Sequence, residues 1–182
     1  MAEFPSKVST RTSSPAQGAG PSALSLRPDL GFVRSPIGAL MLLQLVLGLL
    51  VWALIADTPH YLYPAYGWVM FVAVFLWLVT IIVFTLYLSQ LHMKFDMVPW
   101  PLVLLIFNVG ATTLYITAFI TCSASVELTS LKGTQPYNQR AAASFFSCLV
   151  MIAYGVSAFF SFQAWRGVGS NAATSQIAGS YA

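Results

Sequence analysis

The 182 residues carry two histidines, two cysteines, eight lysines and arginines, and five aspartates and glutamates. His92 stands four residues before Asp96 and His60 stands apart from both. Two donors do not make a metal site, because zinc is held by three or four protein ligands. Cys122 and Cys148 are too few for a disulfide framework or a four-thiolate site. Their expected depths differ by about 5–10 Å at 1.5 Å per helical residue, against a Cα–Cα limit of about 7 Å for a bridge. Two unbridged thiols are therefore expected. Gly67 and Gly110 belong to no phosphate-cradling pattern. Catalysis within a membrane requires ionisable groups at depth, and the spans placed below contain none. The chain is expected to be non-enzymatic, with no metal and no cofactor. A net charge of +3, concentrated toward one end, is too small to suggest nucleic acid as a partner.

The remaining polar groups are uncharged. Gln44, Thr80, Asn108, Thr112 and Ser157 are expected to form a polar packing layer inside a helical bundle. Asn108, Thr112 and Tyr115 recur at i, i+4 and i+7, which puts them on one helix face. Interhelical hydrogen bonds of this kind contribute about 0.6 kcal/mol each in membranes. The alternative is that the same side chains line a pore, although selective pores usually show charged rings or exposed carbonyls. Ala153, Ser157 and Ser161, at four-residue spacing, form a close-packing face for a helix of the same bundle or of a second copy.

The elements that must position these groups follow from where charge is missing. The chain is 58% hydrophobic and 7% charged, where a soluble domain carries about 25% charged residues. Uncharged runs of 22, 36, 30 and 25 residues follow Arg34, Asp57, Asp96 and Arg140. A helix needs about 20 apolar residues to cross about 30 Å of hydrocarbon. Four spans are predicted, near 36–56, 66–91, 101–126 and 141–165. Barrel strands would be about 10 residues long and alternating, whereas runs such as LMLLQLVLGLLVWALIA are continuous. Helices also satisfy their own backbone in lipid. The fold class is all-α, a four-helix transmembrane bundle.

Local signals mark the ends. Ser35-Pro36 supplies a capping hydroxyl and a proline at the first helical position. Pro99-Trp100-Pro101 opens the third span in the same way, Asn138 is expected to cap the fourth, and Gly167 and Gly169 to close it. Residues 1–31 contain no apolar core of a secretory signal, so the first span is expected to insert itself. Those residues and 167–182 are too polar and too rich in small residues to offset ordering entropy, and are expected to be disordered tails. Lys7, Arg11, Arg27, Arg34, Lys94 and Arg166 fall on one side of the predicted layout, Lys132 and Arg140 on the other. The positive-inside rule then puts both tails in the cytosol. Aromatic belts are expected at the outer ends (Tyr61, Tyr63, Tyr66, Trp68, Tyr137) and the inner ends (Phe32, Phe95, Trp100, Trp165).

Loop lengths exclude claudins, tetraspanins and connexins, which need longer or cysteine-bearing outer loops. GWVMFVAVF at 67–75 and PYNQRAAASFF at 136–146 closely resemble the starts of the second and fourth spans in the MAL-type MARVEL proteolipid family, and the resemblance covers the whole chain. It implies a MARVEL-like domain over 32–166. It also implies a non-enzymatic proteolipid of myelin and epithelial apical membranes, passing through endosomal and Golgi vesicles. Such a protein would associate with cholesterol and sphingolipids, self-associate, and engage trafficking adaptors or SNAREs through its tails. The second reading is an oligomeric ion channel or small transporter. Spans of about 26 residues, or roughly 39 Å of helix, exceed the ~30 Å average hydrocarbon core and match thicker, sterol-rich membrane.

Overall fold

The computed structural model describes residues 28–95 and 97–180, with side chains to Gly169. A short helix, α1 (Leu30–Arg34), precedes four long ones: α2 (Pro36–Ala56), α3 (Pro64–Leu88), α4 (Trp100–Thr129) and α5 (Gln135–Ser180). Single 3-10 turns, His60–Leu62 and Leu91–Lys94, lie in the two longer connections. The long helices pack in a ring of cyclic order α2, α3, α4, α5, each on its two neighbours, and α1 lies against α2 and α3. Four of these helices are long and apolar enough to cross a membrane. Mid-span side chains such as Leu43, Val46, Phe71, Phe75, Ile82 and Ile106 are exposed, an arrangement that lipid rather than water solvates.

α2 occupies the expected 36–56, and its start follows the expected chemistry: the Ser35 hydroxyl accepts the Gly38 N–H at 3.1 Å. α3 lies a few residues upstream of 66–91, since Pro64 fits a first helical turn and Gln90, at φ 55°, ends the run in the left-handed region. α4 exceeds 101–126 by a last turn through Thr129.

The fourth span departs most. Gly133 turns the chain at φ 86°, and the Asn138 N–H donates to the Thr134 carbonyl at 3.1 Å. Asn138 therefore sits inside the helix and does not cap it. At the other end, Gly167 and Gly169 do not close α5, which runs to Ser180. A glycine ends a helix by taking a positive φ, and among the described residues Gly133 alone among the glycines does so. No proline follows Pro136. Each glycine then costs only about 1 kcal/mol relative to alanine. The disorder expected of 167–182 thus gives way to helical backbone as far as Ser180. Of the other expected tail, residues 1–27 lie outside the described residues.

The boundary expected at residue 31 cuts through α1. Asp29 caps α1, accepting the Gly31 and Phe32 N–H groups at 3.0 and 3.2 Å, and its own N–H donates to the Leu88 carbonyl at 2.9 Å. Phe32 packs on Phe84 and Tyr87, with ring centroids 5.9 and 5.3 Å apart. The return into α2 brings backbone against Gly38, where an added Cβ would lie 2.0 Å from the Phe32 carbonyl oxygen. Gly38→Ala is expected to displace α1 at a cost of about 1–3 kcal/mol, the usual range for overpacking. Cysteines placed at positions 32 and 87 should crosslink in the parent and fail to do so in the Gly38→Ala background.

Candidate functional site

Two buried polar clusters occupy the bundle, one toward each end. The first lies on α5 and gathers most of the predicted layer. Gln44 Nε2 donates to the Ser157 hydroxyl at 2.7 Å and to the Ala153 carbonyl at 3.3 Å. Asn108 Nδ2 donates to the Ser161 hydroxyl at 3.3 Å. The Thr80 and Tyr154 hydroxyls share a hydrogen bond at 2.6 Å. Ala153, Ser157 and Ser161 thus stand on the face of α5 that meets α2 and α4. The small side chains at these positions let the longer Gln44 and Asn108 reach across.

Thr112 does not join the cluster. It is half-buried, and its hydroxyl donates to the Asn108 carbonyl of its own helix at 2.7 Å, as threonines in helices commonly do. Tyr115 shares the Asn108 face but stacks on Tyr154 at 5.6 Å. Cys122 and Cys148 are free thiols, the first buried, with Sγ 3.6 Å from the Arg140 carbonyl.

The second cluster centres on Arg140, which is 1% exposed. With α5 beginning at Gln135, this side chain leaves the helix in its second turn and points between α3 and α4. Its Nη1 donates to the Ser130 hydroxyl at 2.8 Å, the Thr129 hydroxyl at 3.0 Å and the Thr129 carbonyl at 3.2 Å. These include C-terminal groups of α4 that the helix itself leaves unpaired, where a cation is favoured. The guanidinium carbon lies 4.4 Å from the Tyr66 ring centroid and 5.2 Å from that of Tyr63. The Tyr66 hydroxyl in turn bonds Thr129 at 2.9 Å. Tyr66 is therefore buried against Arg140 and is not part of the headgroup belt expected of it, whereas Tyr61 and Trp68 are exposed. A cavity of about 340 Å³ adjoins the cluster, lined by Arg140 together with Pro59, Tyr63, Thr129, Leu131 and Thr134, among others.

No carboxylate balances this charge: among the described residues the ion pair is Lys132–Glu127, 3.0 Å apart and exposed. That pair contributes little to stability through solvent screening. The hydrogen bond to Glu127 nevertheless holds the Lys132 ammonium above the ordinary lysine value. The one carboxylate bonded near the cluster, Asp57, accepts from Gln139 and not from Arg140. Nε and Nη2 of Arg140 are buried with no hydrogen-bond partner.

Residues 32–160 match the membrane-associating MARVEL domain. The chain belongs to the MARVEL family. It is 86% identical to plasmolipin of Bos taurus and 85% identical to plasmolipin of Homo sapiens, each over 182 residues and 100% of both chains. It is also 43% identical to CKLF-like MARVEL transmembrane domain-containing protein 8 of Mus musculus, over 159 residues, 87% of this chain and 91% of that one. No solved structure matches. The MARVEL match contains both clusters except Ser161, one residue beyond its end. With four apolar helices of spanning length, this MARVEL chain is a multi-pass membrane proteolipid.

Arg140 is the residue that sequence reasoning misplaces. Its charge next to an apolar run looks like a loop residue if the helix starts at 141. The available signal is the Gly133 turn only two residues before Gln135, which leaves no loop for Arg140 to occupy.

Proposed function

We propose that this MARVEL protein is a non-enzymatic organiser of membrane. It partitions into cholesterol- and sphingolipid-rich bilayer, self-associates, and supports myelin membrane biogenesis and apical trafficking and endocytosis. Its tails lie in the cytosol and recruit adaptors or SNAREs. It resides in plasma membrane, including myelin and the apical domain, and in endosomal and Golgi vesicles. The observation that carries the reading is helix length. α3 has 25 residues and α4 has 30, or about 38 and 45 Å at 1.5 Å per residue. The average hydrocarbon core is about 30 Å and a sterol-rich plasma membrane about 32–33 Å. A bundle with helices this long is better matched by thick, ordered lipid, with tilt taking up the remainder. The polar side chains support the same reading, since Gln44, Asn108, Ser157 and Ser161 are bonded to one another across the bundle.

Removing four residues, about one turn, from each of α3 and α4 is the test. Purified protein in phase-separated vesicles is expected to leave the ordered phase when trimmed, and unchanged partitioning would count against hydrophobic matching. Ion flux through the same vesicles that depended on Gln44 or Asn108 would instead favour an oligomeric channel or small transporter.

A further inference from the structure

The Arg140 cluster has more donors than the chain satisfies. Nη1 meets three acceptors, while Nε and Nη2 meet none. Nε and Nη2 form one edge of the planar guanidinium, the fork that takes two oxygens of a single anionic group. Burying a cation without an anion costs several kcal/mol, and two tyrosine rings offset only part of that. The adjoining cavity of about 340 Å³ has mostly apolar walls, including Pro59, Tyr63 and Leu131. It lies at the end of the bundle, lined by residues of the 57–63 and 130–134 connections and of the adjoining helix ends.

We propose that Arg140 and this cavity form a binding site for a tetrahedral oxyanion, phosphate or sulfate, borne on a lipid headgroup or free in solution. The Nε and Nη2 edge turns to two of its oxygens. The apolar walls take the carbon skeleton attached to a headgroup. Nη1 and the tyrosine rings hold the guanidinium in place, and because Nε and Nη2 are buried, side chains covering that edge must move aside for an oxyanion to reach it. For a lipid-borne ligand the inference rests on the organiser reading and adds a headgroup class to it.

The test uses full-length protein in an uncharged maltoside detergent, with thermal unfolding followed by tryptophan fluorescence. The additions are phosphatidic acid, a sulfated glycolipid, uncharged diacylglycerol, inorganic phosphate and inorganic sulfate. A ligand that binds only the folded state raises the midpoint with concentration. Phosphatidic acid or the sulfated glycolipid is expected to raise it and diacylglycerol to leave it unchanged. A rise with the inorganic ions that the lipids do not exceed assigns the site to a free ion; a rise with the lipids alone assigns it to headgroups. Arg140→Gln is expected to weaken binding about tenfold or more, the loss of one charge-assisted pair. Thr134→Phe fills the cavity while keeping the three Nη1 bonds, so it serves even if Arg140→Gln does not fold. Equal rises with diacylglycerol and phosphatidic acid, or anion-dependent rises that survive both substitutions, overturn the site. The assay contains no bilayer, so its failure leaves hydrophobic matching untouched. Failure of the trimming test likewise leaves this site untouched.

Discussion

Tyr154→Ala is expected to lower stability by about 3–5 kcal/mol, the range for truncating a buried aromatic. Tyr154 is 1% exposed at the centre of the ring of helices. It stacks on Tyr115 at 5.6 Å and meets Phe107 edge-on at 6.0 Å. In a bilayer the loss is one of packing, not of transfer from water, because lipid is as apolar as the core. The cavity would open where three helices converge, with no small residue able to follow. Its hydroxyl also satisfies Thr80. Tyr154→Phe isolates that part and should cost only about 0.6 kcal/mol, the average for a hydrogen bond between membrane helices. Denaturation in mixed micelles, followed by near-ultraviolet dichroism, measures both. A Phe variant as unstable as the Ala variant would show that the Thr80 bond to α3, not the ring stack on α4, accounts for the stability that Tyr154 contributes.

Arg140→Ala is the second large effect, with an expected loss of about 2–3 kcal/mol. Hydrogen bonds from a charged donor contribute about 1.5–3 kcal/mol each, and a desolvated cation–π contact about 2. Against these stands the return of an uncompensated buried charge to water, worth several kcal/mol. The two nearly offset. What decides the sign is the hole left between Tyr63, Tyr66 and Thr129. Arg140→Met tests this, since it fills most of the hole without charge. Thr129 would keep a partner in Tyr66 and another in the Ser125 carbonyl, to which its hydroxyl donates at 2.6 Å. The Met variant should lose less than half of what the Ala variant loses in the same denaturation assay.

Much of the polar layer was legible because polarity is rare within the spans. Gln44, Asn108, Ser157 and Ser161 are conspicuous in runs of Leu, Val, Ile and Phe, and an unpaired amide in hydrocarbon has to find a partner. Pairing was not legible. Nothing in the spacing says that Gln44 reaches α5 while Thr112 turns back on its own helix, or that Thr80 meets a tyrosine. The second cluster is hidden by where the fourth span is expected to begin, with Asn138 as its cap and the apolar run opening at 141, whereas α5 starts at Gln135. A start at 141 makes Arg140 a loop charge and Tyr66 a belt ring. A start at Gln135 buries both and brings them together.

By itself the sequence determined the solvent and the number of crossings. Four uncharged runs of at least 22 residues have one inexpensive resting place, a helix across lipid, because only there are both the side chains and the backbone satisfied. Which face of each helix turns inward was decided by tertiary structure alone. Helices that are apolar all round carry no amphipathic stripe, since lipid and core accept the same side chains. Phe71 in lipid and Val72 in the core are adjacent in the chain and equally greasy. The close fit of the rings around Tyr154, and the enclosure of Arg140 by two tyrosines and the end of α4, exist only once the four helices are assembled.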